Sequence, residues 1–134
     1  MKENWKIIKY TYLIGAFIDG FWAVALLFPG LFKIVVNNPD LIISKNIYIL
    51  FIIAASLMLG WTFLLLWGYR QPIARRFVLL LTTFPVVFGI FIGTIISLSG
   101  GRPYTLIFVI KTFLIMSLMI FSYIKAEKVA KREH

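Results

Sequence analysis

The chain has no cysteine, one histidine (His134, the last residue) and only five acidic residues among 134. The lack of cysteine excludes disulfides, thiolate metal sites, lipid anchors on cysteine and cysteine nucleophiles. A single histidine excludes a haem held by two histidines, and five carboxylates leave little for a metal site. We therefore expect no catalytic residue, no metal and no cofactor, and we expect that the protein is not an enzyme.

Charged residues are also scarce. They make up 14% of the chain, against about 25% in a soluble domain, whereas 61% of the residues are hydrophobic. Such a chain cannot build a water-soluble surface, so its composition predicts a single membrane domain over residues 1–134. Its net charge of +9 lies beside apolar runs. Anionic lipid headgroups of the bilayer, and no nucleic acid, are therefore the expected partners.

Four apolar segments reach the length of about 20 residues that a membrane-spanning helix needs. We predict spans at about 10–32, 47–67, 77–98 and 104–124, followed by a basic cytoplasmic tail at 125–134. The short connections between them favour antiparallel neighbours. The predicted fold class is an all-α integral membrane protein, a four-transmembrane-helix antiparallel bundle with both termini in the cytoplasm.

Prolines lie before three of these spans and also inside the third. Three of them mark expected helix starts before the second, third and fourth spans: Pro39, Pro72 and Pro103. The second helix is thus expected to begin near Pro39. A fourth proline, Pro85, lies inside the third span and should kink it, with Thr82 or Thr83 bonding the freed carbonyl.

Lysine and arginine are divided unequally between the two sides of this arrangement. Ten belong to the N-terminus, the loop after the second span and the C-terminus, and three to the other side. The positive-inside rule therefore predicts a multi-pass protein of the cell membrane with cytoplasmic termini. Arg70, Arg75 and Arg76 in the loop are expected to set this topology, with a contact to lipid headgroups or to a partner as the alternative.

Asp19 and Lys111 are the charges inside the spans, Asp19 in the first and Lys111 in the fourth. A charge near the bilayer centre costs roughly 2.5–3.5 kcal/mol. On antiparallel helices the two backbones would differ in depth by roughly 6 Å, which a lysine side chain covers. Three interpretations remain open: a structural ion pair, a polar site for protons, ions or a small substrate, or a charge pair with another subunit.

Other residues on the helical faces that carry Asp19 and Lys111 extend this candidate site. The polar ones, candidates for a substrate- or ion-linked role, are Tyr12 on the first span and Tyr104 and Ser122 on the fourth. Small residues and one proline are expected to govern helix packing, because they let backbones approach or bend. These are Gly15, Gly60, Pro85, Gly89 and Gly93.

A four-span chain of this length with an acid in its first span is similar in outline to the small multidrug resistance transporters. In that family a glutamate of the first helix exchanges protons for cations. Asp19 is the residue that the resemblance carries over, as an aspartate instead of a glutamate. The strong charge asymmetry and Lys111 depart from the family pattern. DoxX-like four-span proteins are a second resemblance in outline.

Two functions are expected from these features. One is a small transporter or channel-like protein, with Asp19 as the proton- or ion-linked group and Lys111 as its counter-ion. The other is an accessory or assembly subunit of a larger membrane complex or homo-oligomer, in which the pair is purely structural. A membrane enzyme acting on lipids or quinones is the least favoured, since the spans contain no histidine or cysteine and a single acid.

Overall fold

A computed structural model describes residues 2–100 and 105–132, and in these residues the protein is all-helical, with no strand. Four helices are long and apolar enough to cross a membrane, as predicted, and a short fifth helix was not expected. In chain order these five are α1 (Lys2–Leu27), α2 (Pro29–Val35), α3 (Lys45–Arg70), α4 (Phe77–Leu98) and α5 (Thr105–Arg132).

The outer faces of the long helices carry large apolar side chains. Phe17 on α1, Leu57 on α3 and Ile96 on α4 are 76%, 71% and 67% exposed. Water disfavours apolar surface of this extent, whereas lipid tails solvate it. The buried positions of α1 are instead mostly small, among them Ala16 and Ala23. The distribution of side chains therefore suits a bilayer.

A break separates α1 from α2 inside the segment predicted as the first span. Phe28 has an extended backbone (φ −114°, ψ 97°), and Pro29 opens α2. The residue before a proline is disfavoured in the helical region, and Pro29 has no amide hydrogen with which to continue α1. α1 also begins at Lys2, earlier than the span starting near residue 10. The first apolar segment thus forms one long and one short helix.

Hydrogen bonds at both ends of the α2–α3 connection fix its path. Asn37 has a left-handed backbone (φ 52°), and the amides of Asn37 and Asn38 donate to the carbonyls of Ile34 and Lys33, each at 3.0 Å. This pattern is a Schellman motif, in which an asparagine can replace the usual glycine. It ends α2 and turns the chain before Pro39.

The start of α3 at Lys45 shows that the prediction of a helix beginning near Pro39 was wrong. The residue that opens the helix is Ser44. Its carbonyl accepts the Tyr48 amide at 2.9 Å and its hydroxyl accepts the Ile47 amide at 3.4 Å. Serine at this position satisfies an amide that has no partner inside the helix. Proline in a first turn is a weaker indicator of a helix start. It is accepted there because the first amides of a helix have no intrahelical partner, but it does not stabilise the start.

α4 has the predicted bounds, 77–98, but Pro72 does not open it, because residues 71–76 form turns. The predicted kink is present. An α-helical turn (Phe77–Leu81) leads to a π-helical segment (Thr82–Val87) and then to a second α-helical part (Phe88–Leu98). Phe84, directly before Pro85, has a non-helical backbone (φ −106°, ψ 122°). The expected start of the fourth helix at Pro103 lies outside the described residues.

The two threonines before this kink bond other carbonyls than expected. The Thr82 hydroxyl donates to the Val78 carbonyl at 2.7 Å, and the Thr83 hydroxyl to the Leu79 carbonyl at 2.8 Å. The carbonyl that loses its amide donor to Pro85 is that of Leu81. Each hydroxyl therefore has a carbonyl acceptor within the helical turn that precedes the kink. Both threonines are buried there.

The chain divides into two compact units: unit 1, Met1–Tyr12 with Gly68–His134, and unit 2, Leu13–Trp67. In unit 2, a Cβ atom at Gly20 of α1 would lie 3.6 Å from a side-chain carbon of Thr62 on α3, so the two helices are close there. The Phe32 ring of α2 lies 6.4 Å from Trp22 of α1 and 4.7 Å from Phe51 of α3. Aromatic contacts thus attach the short helix to both long ones.

In unit 1, two ring contacts establish the relation of α4 to α5. Phe77 lies 6.3 Å from Tyr123, and Phe91 lies 6.1 Å from Phe113. As the residue number rises along α4 it falls along α5, so these two helices are antiparallel neighbours. α5 contains 28 residues, about 42 Å at 1.5 Å per residue, and therefore exceeds a hydrocarbon core of about 30 Å.

Candidate functional site

Asp19 is buried in α1, with 9% of its surface exposed. Within the part of the chain that the structure describes, its Oδ2 atom has no hydrogen-bond partner. Gly15, Ala16 and Ala23, one turn away along the helix, are buried with it. Nearly all buried polar atoms in proteins are hydrogen-bonded, and each exception calls for a physical reason such as a bound ion or water. Asp19 is therefore the leading candidate for a functional residue.

The residue after Asp19, Gly20, faces Thr62 of α3. A Cβ atom built on Gly20 would lie 3.8 Å from the Thr62 hydroxyl oxygen. That hydroxyl donates its proton to the Met58 carbonyl at 2.9 Å, so its oxygen can accept but has no second proton to give. Thr62 thus places an acceptor oxygen beside Gly20, the residue that follows Asp19.

Lys111 has a different environment. It is exposed on α5, and its Nζ atom lies 5.9 Å from the centre of the Phe108 ring, one turn earlier on the same helix. A lysine near a helix end can extend its charged group toward the lipid headgroups while its stem stays among apolar groups. Lys111 belongs to unit 1 and Asp19 to unit 2, and the ion pair between them stays a prediction.

Tyr12 and Ser122 lie in unit 1, where they form what we call the polar junction, together with Thr11 and Arg75. The Tyr12 hydroxyl donates to the Arg75 carbonyl at 2.9 Å, and the Thr11 and Ser122 hydroxyl oxygens are 2.6 Å apart. Thr11 donates its one proton to the Ile7 carbonyl at 3.0 Å, so Ser122 is the donor to Thr11. All three hydroxyl-bearing side chains are buried.

The polar junction connects the start of α1, the loop at 71–76 and the later half of α5. Its bonds satisfy the buried hydroxyls, which gives Tyr12 and Ser122 a structural task in unit 1. Their substrate- or ion-linked role stays a prediction. Sequence reasoning missed Thr11, although a threonine beside a tyrosine near the end of a span is the kind of residue that bonds across helices.

The arginines of the loop have separate environments. Arg76 Nε donates to Glu127 Oε2 at 2.5 Å, and its Nη1 donates to the Ile73 carbonyl at 3.2 Å. Lys131, one turn further along α5, places its Nζ 3.7 Å from Glu127 Oε1. Arg75 is half-buried, and Arg70 is exposed at the last position of α3. Arg76 is thus fixed by α5, whereas Arg70 is open to the surroundings.

A groove of about 330 Å³ lies beside these arginines, entirely within unit 1. We call it the basic groove. It is formed by side chains from α1, the end of α3, the loop and α5. Its lining residues are Trp5, Arg70, Gln71, Ile73, Ala74, Arg76 and Ala130.

The glycines predicted to pack the helices have unequal surroundings. Gly15 is buried, whereas Gly60, Gly89 and Gly93 are exposed, and a Cβ atom on any of these three would meet no atom within 4 Å. Close helix contact through the exposed glycines stays a prediction. Pro85, at the kink, is exposed as well. Tyr104 lies outside the described residues.

Residues 2–100 and 105–132 contain no group of three His, Asp or Glu side chains that could hold a metal ion. Comparison with protein-family models, with curated proteins and with solved structures finds no match to this chain. The likeness to the small multidrug resistance transporters therefore rests on the number of spans and on Asp19. Any functional conclusion has to come from the geometry of the site.

Proposed function

We propose that the protein is a small transporter or channel-like protein of the membrane, in which Asp19 is the proton- or ion-linked group. The observation that carries this proposal is the buried Oδ2 atom, which has no partner among the described residues, on a helix long and apolar enough to cross a bilayer. Ionisable side chains within membrane-spanning helices are energetically costly, and they usually line a path for protons, ions or substrates. A proton or a cation would supply the partner that Oδ2 lacks.

Two states of the carboxyl group would then alternate. The protonated form is neutral and stable among the small apolar residues of α1. The ionised form attracts a cation, for which the Thr62 hydroxyl oxygen is a further acceptor on the adjacent α3. Exchange between the two forms would couple the binding of a cation to the release of a proton.

We place this protein in the cell membrane with both termini in the cytoplasm. The division of ten basic residues against three supports this orientation. So do three contacts within unit 1. Thr11 with Ser122, Tyr12 with Arg75 and Arg76 with Glu127 bring together the three segments that the charge rule assigns to one side.

The proposal is tested with purified protein in liposomes that contain a pH-sensitive dye, under an imposed proton gradient and a potassium–valinomycin potential. We expect Asp19→Asn to reduce proton flux to the level of empty liposomes, because the amide cannot exchange a proton. Asp19→Glu should keep measurable flux. Glu3→Gln, the same change at an exposed acid on the same helix, should behave like the parent protein.

Folding of each variant is checked by its elution volume and melting temperature in detergent. A folded Asp19→Asn protein that conducts as well as the parent would contradict the role of Asp19. A parent protein with no proton flux, or flux equal in all variants, would contradict transport of protons through this site.

An accessory or assembly subunit is the second candidate, and the exposure of Lys111 favours it. A lysine facing outward from a helix of spanning length can pair with an acid of a neighbouring chain. Gly89 and Gly93, exposed on α4, leave room for a helix of that chain. A folded parent protein without flux would favour this second function.

A further inference from the structure

We infer that the basic groove binds the headgroup of an anionic phospholipid through its phosphate. The inference concerns a site in unit 1 and does not depend on the proposed role of Asp19, which lies in unit 2. The ligand class follows from the chemistry of the lining, which combines free cationic and amide donors with a small apolar wall.

The donors available to a phosphate are on Arg70 and Gln71. Among the described residues, neither the Arg70 guanidinium nor the Gln71 amide has a hydrogen bond or an ion pair. A guanidinium offers a planar fork of donors that matches two phosphate oxygens at once. Arg76, on the same groove, is held by Glu127 and by the Ile73 carbonyl, and thereby forms a rigid side of the site.

The apolar wall distinguishes a lipid from a soluble anion. Ile73, Ala74 and Ala130 line the same groove, and Trp5 adds an indole ring. Tryptophan is enriched at the membrane interface, where its ring contacts both the headgroups and the first part of the acyl chains. A free phosphate would use the donors of the groove and leave this wall unoccupied.

The position of the groove along the helices also favours a lipid headgroup as the ligand. Arg70 is the last residue of α3, a helix of spanning length, so the groove opens where that helix ends. The groove is lined from three basic segments, 1–12, 68–76 and 125–134, which contain ten lysines and arginines against three acids, Glu3, Glu127 and Glu133. Basic residues close to an anionic membrane surface are attracted to it. A volume of about 330 Å³ suits one headgroup.

The test uses the full chain in neutral detergent micelles. The protein is titrated with phosphatidylglycerol, with phosphatidylcholine and with free glycerol phosphate, the lipids carrying bromine on the acyl chain near the headgroup. Bromine quenches nearby tryptophan, and Trp5→Phe identifies the part of the signal that comes from the groove. We expect quenching at Trp5 by phosphatidylglycerol at low lipid fractions, weak or no quenching by phosphatidylcholine, and no loss of the phosphatidylglycerol signal when glycerol phosphate is added as a competitor.

Three substitutions, at positions on opposite ends of α3, distinguish a specific site from an effect of net charge. Arg70→Gln should weaken phosphatidylglycerol binding about tenfold, the effect of losing charge-assisted hydrogen bonds. Arg70→Lys should keep only part of the phosphatidylglycerol binding, since lysine lacks the planar fork of donors. Lys45→Gln, at the first position of the same helix, should change nothing.

Three results would overturn the inference. Equal binding of phosphatidylcholine would remove the need for a negative headgroup. Displacement of phosphatidylglycerol by glycerol phosphate at similar concentrations would identify a soluble phosphate as the occupant. An equal loss in Arg70→Gln and Lys45→Gln would reduce the effect to net charge.

Discussion

At the scale of single residues, the Tyr12 ring occupies the space that a side chain at Gly68 would need. A Cβ atom on Gly68 would lie 3.1 Å or less from three atoms of that ring. The ring cannot easily move aside, because its hydroxyl is bonded to the Arg75 carbonyl and the side chain is fully buried. The glycine therefore permits the close approach of α3 and α1 at this point.

Gly68→Ala should destabilise the protein by about 1–3 kcal/mol, the usual cost of adding a methyl group to a packed contact. Gly60→Ala, two turns earlier on the same helix, meets no atom within 4 Å and should leave stability unchanged or slightly higher. The free energy of unfolding in mixed micelles, followed by circular dichroism during titration with sodium dodecyl sulfate, measures both. Equal effects of the two substitutions would contradict the contact.

Asp19 and Lys111 show how residue type affects whether a charge within an apolar segment is buried or exposed. The sequence presents them as equivalent, one charge in each of two spans. Aspartate has a single methylene group, so its carboxyl group stays close to the backbone, and in α1 it is buried. Lysine has a stem of four methylenes and can extend along its helix. The exposure of Lys111 is therefore compatible with a position that would be costly for Asp19.

At the scale of helices, the bond between Thr11 and Ser122 joins α1 to α5 across 111 positions of sequence. It supports the expectation that the first and fourth spans are neighbours, although it lies in unit 1 and not at Asp19. Hydroxyl pairs across helices in membranes contribute about 0.6 kcal/mol on average. The bond fixes a register between the two helices more than it adds stability.

A double-mutant cycle measures this contribution. Thr11→Val and Ser122→Ala should each lower the free energy of unfolding, and the double variant should lose less than the sum, with a coupling of about 0.6 kcal/mol. Ser117→Ala supplies the control, because the Ser117 hydroxyl is exposed and bonds the Phe113 carbonyl of its own helix. Its effect should add to that of Thr11→Val. Additivity in both cycles would refute the interhelical bond.

The sequence predicted the existence of the helices better than their ends. Four runs of apolar residues identified α1, α3, α4 and α5, because a bilayer demands length and hydrophobicity from each of them. The ends depend on single hydrogen bonds. Ser44 caps α3 and Asn37 ends α2, whereas the prolines at 39 and 72 lie in turns. Proline tolerates a helix start without creating one, so it misled the prediction twice.

The candidate site was less accessible to sequence reasoning. Periodicity along α1 grouped Tyr12 and Gly15 with Asp19, and the structure buries all three. The same reasoning gave no reason to select Thr11, because its value comes from Ser122, a residue on another helix. Contacts between helices depend on relative rotation and depth, which a single sequence does not encode in any local pattern.

At the scale of the whole molecule, the absence of cysteine makes the topology directly measurable. Single cysteines can be introduced at exposed positions without a competing thiol. Asp40→Cys lies between α2 and α3, Gln71→Cys in the loop before α4, and Lys128→Cys near the end of α5. A membrane-impermeant maleimide added to intact cells should label only Asp40→Cys. Gln71→Cys and Lys128→Cys should react after permeabilisation.

Each outcome of the labelling has a defined meaning. Labelling of Gln71→Cys and Lys128→Cys in intact cells, with Asp40→Cys protected, would reverse the proposed orientation. Labelling of Gln71→Cys and Lys128→Cys from opposite sides would contradict the grouping of the loop with the end of α5, which the bond between Arg76 and Glu127 supports.

The division into two units has a consequence for how the chain is made. Unit 2 is one continuous stretch, Leu13–Trp67, so its contacts can form as soon as α3 has left the ribosome. Unit 1 joins the start of α1 to residues synthesised more than a hundred positions later, and until Ser122 emerges the Thr11 hydroxyl has no partner on α5. The packing of the start of α1 is therefore complete only after α5 has been synthesised.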